Sequence, residues 1–210
     1  MNTVEINKRP VIINGAKIVR IEIAILSFET FVQTAQETHA LPGVTNGTKW
    51  KVMNNRLRMK RQLSAIDDKG GRHKFDDQAI MQLPIEYAKQ INDKLNDQGE
   101  AEDGQVISSA DADGISSPIL FRLGTPFKMV STQGEMEIEE LEFLAKTYGD
   151  VEEVLAEGFE PAQALTLIRT VAKPICPDVS LLRIPASAVS QITLSDGIDI
   201  QEKVLPRFFE

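Results

Sequence analysis

Polar and apolar residues alternate along residues 3–26, the pattern expected of β-strands. The apolar run Val11-Ile12-Ile13 leads into Asn14-Gly15, and isoleucines resume at Ile18 and continue to Ile25. Asn and Gly both tolerate positive φ, so this dipeptide between β-branched runs predicts a tight hairpin.

Ser27 predicts the N-cap of a short helix over 28–37, with Phe28, Phe31 and Val32 on one face. Residues 38–48 contain Pro42, Gly43, Asn46 and Gly47 and are expected to form a loop.

Residues 49–63 form a basic segment without any acidic residue. It contains six cations: Lys49, Lys51, Arg56, Arg58, Lys60 and Arg61. Leu57 and Met59 alternate with these charges, and Asp68–Gly71 has the composition of a turn. The pattern predicts an inserted hairpin over 49–75 with a basic face, although a helix across 52–65 fits nearly as well.

The rest of the chain divides at a segment rich in Asp, Glu, Gly and Ser, residues 97–118, which predicts an acidic linker. Strands are predicted on its C-terminal side at 119–130 and 135–144. Helices are predicted at 76–82, 85–96, 149–157, 161–172 and 186–193.

Two short stretches recur 101 positions apart. Ile80–Pro84, followed by Gln90-Ile91, matches Leu181–Pro185, followed by Gln191-Ile192. One long repeat predicts two related domains in tandem. We therefore expect an α+β protein with two modules, residues 1–96 and 119–210, each a small β-hairpin or antiparallel sheet followed by helices.

Composition restricts the classes of function. The net charge of -8 disfavours a nucleic-acid binder, which needs a surplus of Lys and Arg, and fits protein partners instead. No apolar run approaches the roughly 20 residues of a membrane span, and the N-terminal residues lack a signal-peptide pattern. Cys176 is the only cysteine, so an intrachain disulfide is excluded.

Residues able to perform catalysis are sparse. His39 and His73 are the only histidines, both in sequence typical of loops, and neither has partners at helical or strand spacing. Glu135, Glu137 and Glu139 have the period of a solvated strand face rather than of a calcium loop. The sequence predicts no enzymatic activity, no cofactor and no metal site, with Cys176 as a half-buried packing residue.

The basic segment is the local feature most indicative of binding. We expect Trp50, Arg56, Arg58, Lys60 and Arg61 to contact a partner. An acidic protein surface fits these charges, and the Glu-rich strand or the linker of another copy would provide one. A purely solvated face and phosphate binding with one stacking ring are the alternatives.

The second half also carries a family resemblance. Its matching segments are Pro126–Lys128, Glu139–Phe143, Thr147–Asp150, Leu165–Arg169 and Leu182–Pro185. In this order they resemble the tail assembly chaperone family of Mu-like phages, the phage tail protein E type, over residues 118–200. The resemblance implies a small β-hairpin, then a Thr-x-Gly-Asp turn that caps a helix, and an all-helical bundle at the end. Leu144-Ala145-Lys146 stand where members usually have Arg-Glu-Pro. The total length is also similar to that of baseplate-hub assembly proteins of contractile-tailed phages.

The resemblance implies a non-enzymatic role in phage tail morphogenesis. The partner would be the tape measure, hub or tube protein, bound in the host cytoplasm, and self-association is left open. A permanent subunit of the baseplate or tail hub and a nucleic-acid-binding accessory protein are the alternative functions. The chaperone role needs an apolar groove or an unpaired strand edge. Leu155, Leu165, Leu167 and Ile168 are candidates for the groove if they are not core.

Overall fold

A computed structural model describes residues 2–44, 47–96, 103–131, 134–176 and 183–209. The protein is α+β, as predicted, with two antiparallel sheets. The chain divides into two compact units. The first comprises Met1–Leu26 and Gln33–Gly99, and the second comprises Ser27–Val32 and Glu100–Glu210.

The first unit contains a five-stranded sheet in the order β1-β3-β4-β5, with β2 also paired to β3. Its strands are β1 (Asn2–Glu5), β2 (Val11–Ile13), β3 (Ala16–Ile23), β4 (Leu63–Asp67) and β5 (Arg72–Lys74). The predicted Asn14-Gly15 hairpin is confirmed, because both residues have positive φ and Ile13 pairs with Ala16. The helices in chain order are α1 (Phe28–Ala40), α2 (Thr48–Gln62), α3 (Asp77–Met81) and α4 (Ile85–Asn96).

Helix α4 covers the first sheet with one apolar stripe. Tyr87, Ile91 and Leu95 recur every four residues and are almost fully buried, together with Ile21 and Ile23 of β3. Burial of such a side chain is worth about 1.5–3 kcal/mol before the opposing loss of conformational entropy.

The prediction of a basic hairpin over 49–75 is wrong in its first half, which is helix α2; only β4 and β5 form a hairpin. The reason is that the buried stripe of α2 is polar: Asn54, Arg58 and Gln62 recur every four residues. Each has a hydrogen-bonding partner: Asn54 accepts from Thr38, Arg58 donates to the carbonyl of Leu95, and Gln62 donates to the carbonyl of Ala24. Apolar periodicity therefore does not decide between a hairpin and a helix here, and the alternative of a helix across 52–65 is the one that agrees with α2.

The second unit contains a four-stranded sheet in the order β6-β7-β8-β9. Its strands are β6 (Gln105–Val106), β7 (Ile119–Ser131), β8 (Gly134–Phe143) and β9 (Ala172–Pro174). Its helices are α5 (Tyr148–Leu155), α6 (Glu160–Thr170), α7 (Ala186–Val189), α8 (Leu194–Lys203) and a C-terminal 3-10 helix (Leu205–Phe208). The first turn of α1 also belongs to this unit, and Phe28 lies in its core.

The predicted linker over 97–118 is wrong for its described part, 103–118. This part belongs to the second unit, and it contributes strand β6 and the buried Ala112. Residues 97–102 lie outside the described residues. Composition is misleading here because backbone-to-carboxylate hydrogen bonds, rather than apolar side chains, hold much of this segment.

The two proline motifs have the same local structure. The carbonyl of Pro84 accepts the N–H groups of Tyr87 and Ala88, and the carbonyl of Pro185 accepts those of Ala188 and Val189. In each unit, two helices follow a strand (β3 or β8), and the next strand (β4 or β9) pairs with it in antiparallel fashion. The order of elements thus agrees with a repeat, and the descent of both units from one module stays a prediction.

Candidate binding surfaces

The predicted partner-binding cations of α2 all have intramolecular partners. Arg56 and Lys60 both contact the carboxylate of Asp77, at 2.8 and 3.1 Å. The hydrogen bond from Lys60, helped by the charge of Arg56, holds the pKa of Asp77 below its usual value. These two cations therefore attach α2 to α3.

Arg58 and Arg61 are engaged as well. Arg58 is buried and donates to the carbonyl of Leu95 at 2.8 Å, near the C-terminus of α4, and burial lowers the pKa of its guanidinium. Arg61 contacts the hydroxyl of Thr34 and the carboxylate of Glu37. Binding of an external partner by these residues stays a prediction, and it would compete with contacts already present.

The N-terminal half of α2 has a more open surface. The half-buried ring of Trp50 lies 5.3 Å from the ring of His39. Lys51 and Val52 beside it are exposed. This part of the predicted surface is the one that remains accessible to a partner.

Neither histidine lies in a loop. His39 is in the last turn of α1, and His73 is in β5, where its Nε2 lies 2.8 Å from Oδ2 of Asp67. That contact, followed by the N–H of Gly71, lowers the pKa of Asp67. Within the described ranges no three His, Cys, Asp or Glu side chains converge as a metal site would require.

The acidic face of β8 is exposed as predicted at Glu135, Glu137 and Glu139, whereas Ile138 is buried. Cys176 is half-buried, and its Sγ lies 3.4 Å from the sulfur of Met136. Its position agrees with the predicted packing role.

The predicted apolar groove is core instead. Leu165, Leu167 and Ile168 of α6 are buried within the second unit, and only Leu155 is half exposed. The apolar stripe of α6 packs within the core of the second unit, so among the described residues it leaves no groove.

The Thr147–Asp150 segment forms the helix cap that the family resemblance implies. The hydroxyl of Thr147 accepts the N–H of Asp150, and the Asp150 carboxylate accepts the N–H of Thr147 at 2.9 Å. Burial raises the pKa of Asp150, but hydrogen bonds from Lys146 and Thr147 outweigh it, so the net shift is downward.

The second unit contains a cleft of about 810 Å³. It lies between the segment 104–113 and the C-terminal helices. Its charged lining comprises Asp111, Asp113, Glu202, Lys203 and Arg207. Both signs of charge therefore face a volume large enough for several residues of an extended peptide.

Polar contacts fix both walls of this cleft. Arg207 donates to the carbonyl of Ser109, and Lys203 donates to that of Gly104. Asp113 accepts three N–H groups, from Ile115, Ser116 and Ser117, and these bonds lower its pKa to about 2.

Strand β6 forms one edge of the cleft and also the edge of its sheet. Ile107 donates its N–H to Leu120 of β7, and hydrogen-bonded residues alternate along an antiparallel strand. The N–H and C=O of Val106, which lines the cleft, therefore point away from β7. An extended peptide in the cleft has backbone groups of β6 available for pairing.

A buried carboxylate supports the same region. Asp196 of α8 is fully buried and accepts the N–H of Gly124 at 2.7 Å and the hydroxyl of Thr193 at 2.8 Å. Burial is the largest influence on its pKa and raises it, against the opposing hydrogen bonds. No apolar periodicity in the sequence points to Asp196, although Thr193 three positions before it gives a recognisable N-cap pattern.

Comparisons with protein families, with curated proteins and with solved structures find no match to this chain. No helix among the described residues has the length and apolar character needed to cross a membrane.

Proposed function

We propose that this protein is a non-enzymatic phage tail morphogenesis protein that binds an extended segment of another tail protein during assembly. The observation that carries the proposal is the cleft of about 810 Å³ beside the edge strand β6. It lies in the unit whose sequence resembles tail assembly chaperones.

The local structure of that unit agrees with the order of elements that the resemblance implies, and this supports the proposal. A β7–β8 hairpin precedes a helix capped by Thr147 and Asp150, and further helices follow. This is the order of elements that the resemblance implies. The tape measure, hub and tube proteins are the proposed partners.

The binding mechanism is strand addition. The partner segment pairs with the outward backbone groups of Val106, while Arg207 and Glu202 contact its polar side chains. Main-chain pairing supplies affinity that depends little on sequence, and the charged walls supply selectivity. Folding of the partner into the assembled tail would withdraw the segment and release the protein.

The test is co-expression with the tape measure, hub and tube proteins of the same phage, each in turn, followed by purification of the complex. The variant Ala110→Trp fills the cleft from an exposed position, and Arg207→Glu reverses one wall charge. Both are expected to abolish the complex, whereas Glu152→Lys on the exposed side of α5 is expected to retain it. Complexes that survive both cleft variants would contradict the proposed site.

Mass spectrometry of purified particles separates the chaperone from a permanent baseplate subunit. A chaperone is absent from finished virions, whereas a subunit is present in stoichiometric amounts. The nucleic-acid alternative predicts a steep loss of affinity with salt in a filter-binding assay. The internal pairing of the α2 cations argues against that alternative.

A further inference from the structure

The charges of this chain are distributed unevenly. Residues 1–96 contain 15 Lys and Arg against 10 Asp and Glu, whereas residues 97–210 contain 8 against 21. One half is therefore basic and the other strongly acidic. Such a distribution favours contact between the basic half of one molecule and the acidic half of the next.

Among the described residues, an acidic strand edge of the second unit has no pairing strand. Within the same residues β9 pairs with β8 over Leu141–Phe143, and the N–H of Ile175 adds one bond to Glu140. Among the described residues no strand pairs with Glu135–Glu139 on the side away from β7. Glu137 and Glu139 are exposed and have no ion-pair partner in the part of the chain that the structure describes, where Glu135 has one exposed contact, with Lys128 at 3.4 Å.

An open basic strand edge lies in the first unit. β5 is the last strand of its sheet, and Arg72 and Lys74 are exposed on it. The N–H of Asp67 donates to Gly71, so the alternation of an antiparallel ladder turns the backbone groups of Arg72 and Lys74 away from β4. Lys74 has no ion-pair partner in the described part of the chain, and the Arg72 side chain stays 64% exposed beside Glu22.

We propose that the protein self-associates head to tail, with the acidic edge of β8 in one copy pairing with the basic edge of β5 in the next. The spacing agrees: Arg72 and Lys74 are two residues apart on one face, as are Glu137 and Glu139. The N–H of Ile175 bonds to Glu140, so the outward backbone groups of β8 are those of Met136 and Ile138. A parallel alignment bonds these groups to the outward groups of Arg72 and Lys74 and places the two cations beside Glu137 and Glu139, where opposite charges attract. Like charges oppose pairing of either edge with itself.

The two edges are different surfaces, so the contact is heterologous. Each copy keeps one free edge of each kind, and association continues into a ring or an open chain. The strand edges of β5 and β8 are separate from the cleft beside β6. Self-association can therefore be disproved while partner binding in the cleft stands, and the reverse also holds.

Sedimentation velocity over a range of protein and salt concentrations tests the proposal. The wild-type protein is expected to increase in average mass with protein concentration and to dissociate as salt screens the charges. Variant A, Glu135→Lys/Glu137→Lys/Glu139→Lys, and variant B, Arg72→Gln/Lys74→Glu, should each have an association constant lower by about tenfold or more.

A mixture of A and B provides the decisive measurement. Variant A carries two basic edges and variant B carries none, so each repels itself while the two attract each other. The mixture is therefore expected to regain the association that each variant alone has lost. Matched controls are Glu152→Lys/Glu153→Lys on α5 and Lys89→Glu on α4, all at exposed positions, which should associate as the wild type does.

Three outcomes would overturn the proposal: a wild-type protein that stays monomeric, variants that associate unchanged, or controls that lose association equally. Circular dichroism verifies that each variant is folded. If variant A does not fold, Glu137→Lys replaces it. Lys74→Pro is a second variant of the β5 edge. It removes the outward N–H of β5 without breaking the ladder with β4, so it should also lower the association constant.

Discussion

Gly197 of α8 lies directly against the ring of Phe28. A Cβ placed on Gly197 would lie 1.9 Å from Cγ of Phe28, well inside contact distance. Phe28 is 1% exposed, and its N–H donates to the carbonyl of Ile192 at 3.0 Å. The first turn of α1 is thereby held in the core of the second unit, and the helix retains a glycine because the ring occupies the space of a side chain.

Substitution Gly197→Ala is expected to destabilise the second unit. Alanine gains about 1 kcal/mol of helix propensity, but overpacking against Phe28 costs about 1–3 kcal/mol and forces the ring to move. Urea denaturation gives the change in the free energy of unfolding. Gly158→Ala is the matched control, because a Cβ there meets no atom within 4 Å. A Gly197→Ala protein more stable than the wild type would contradict this close contact.

Asp196 is expected to be a structural carboxylate. Asp196→Ala leaves the N–H groups of Gly124 and Thr125 without their acceptor, at a cost of about 1–3 kcal/mol. Asp196→Asn retains one acceptor oxygen and should cost less. Thermal denaturation of both variants measures the difference, and equal stability of the alanine variant and the wild type would show that these hydrogen bonds contribute nothing.

The contribution of Asp196 to the free energy of unfolding is expected to decrease as the pH rises. Burial raises the pKa of Asp196 in the folded protein, so the folded state retains its proton to higher pH than the unfolded state. The stability of the wild type relative to Asp196→Asn is therefore greatest below the unfolded pKa of about 3.9 and declines as pH rises through the raised folded value. A relative stability that increases over this window would contradict the assignment.

The elements predicted correctly are those whose apolar residues have a regular period. Helix α4 matches its predicted bounds because Tyr87, Ile91 and Leu95 supply a four-residue repeat, and the first hairpin is predicted because Asn14-Gly15 fixes its turn. These signals are local, so a single sequence contains them.

The elements that the sequence left undecided or did not predict depend on polar contacts between distant residues. Helix α2 turns Asn54, Arg58 and Gln62 inward, and their partners lie far away in the sequence. The cleft likewise forms because Gly104 meets Asp199, 95 positions later. No pattern within a short window specifies such pairs, so the position of the cleft required the structure.

Arg58 is expected to stabilise the first unit more than it serves any partner. Arg58→Ala removes a charged donor from the Leu95 carbonyl and should lower the free energy of unfolding by about 1.5–3 kcal/mol. Lys51→Ala, at an exposed position of the same helix, should change it by less than about 0.5 kcal/mol. Chemical denaturation distinguishes the two. A small effect of both substitutions would return Arg58 to the predicted binding surface.

Asp113 is expected to hold the cleft wall in a pH-dependent manner. Three N–H groups lower its pKa to about 2, below the unfolded value of about 3.9. Its stabilising contribution is therefore complete above the unfolded pKa and is lost as pH falls through the folded pKa. The stability difference between wild type and Asp113→Asn should shrink over that interval in a series of denaturation curves. Asp111→Asn is the control, because the Asp111 carboxylate accepts no hydrogen bond from the described residues, and the same change with pH in both variants would exclude this role for Asp113.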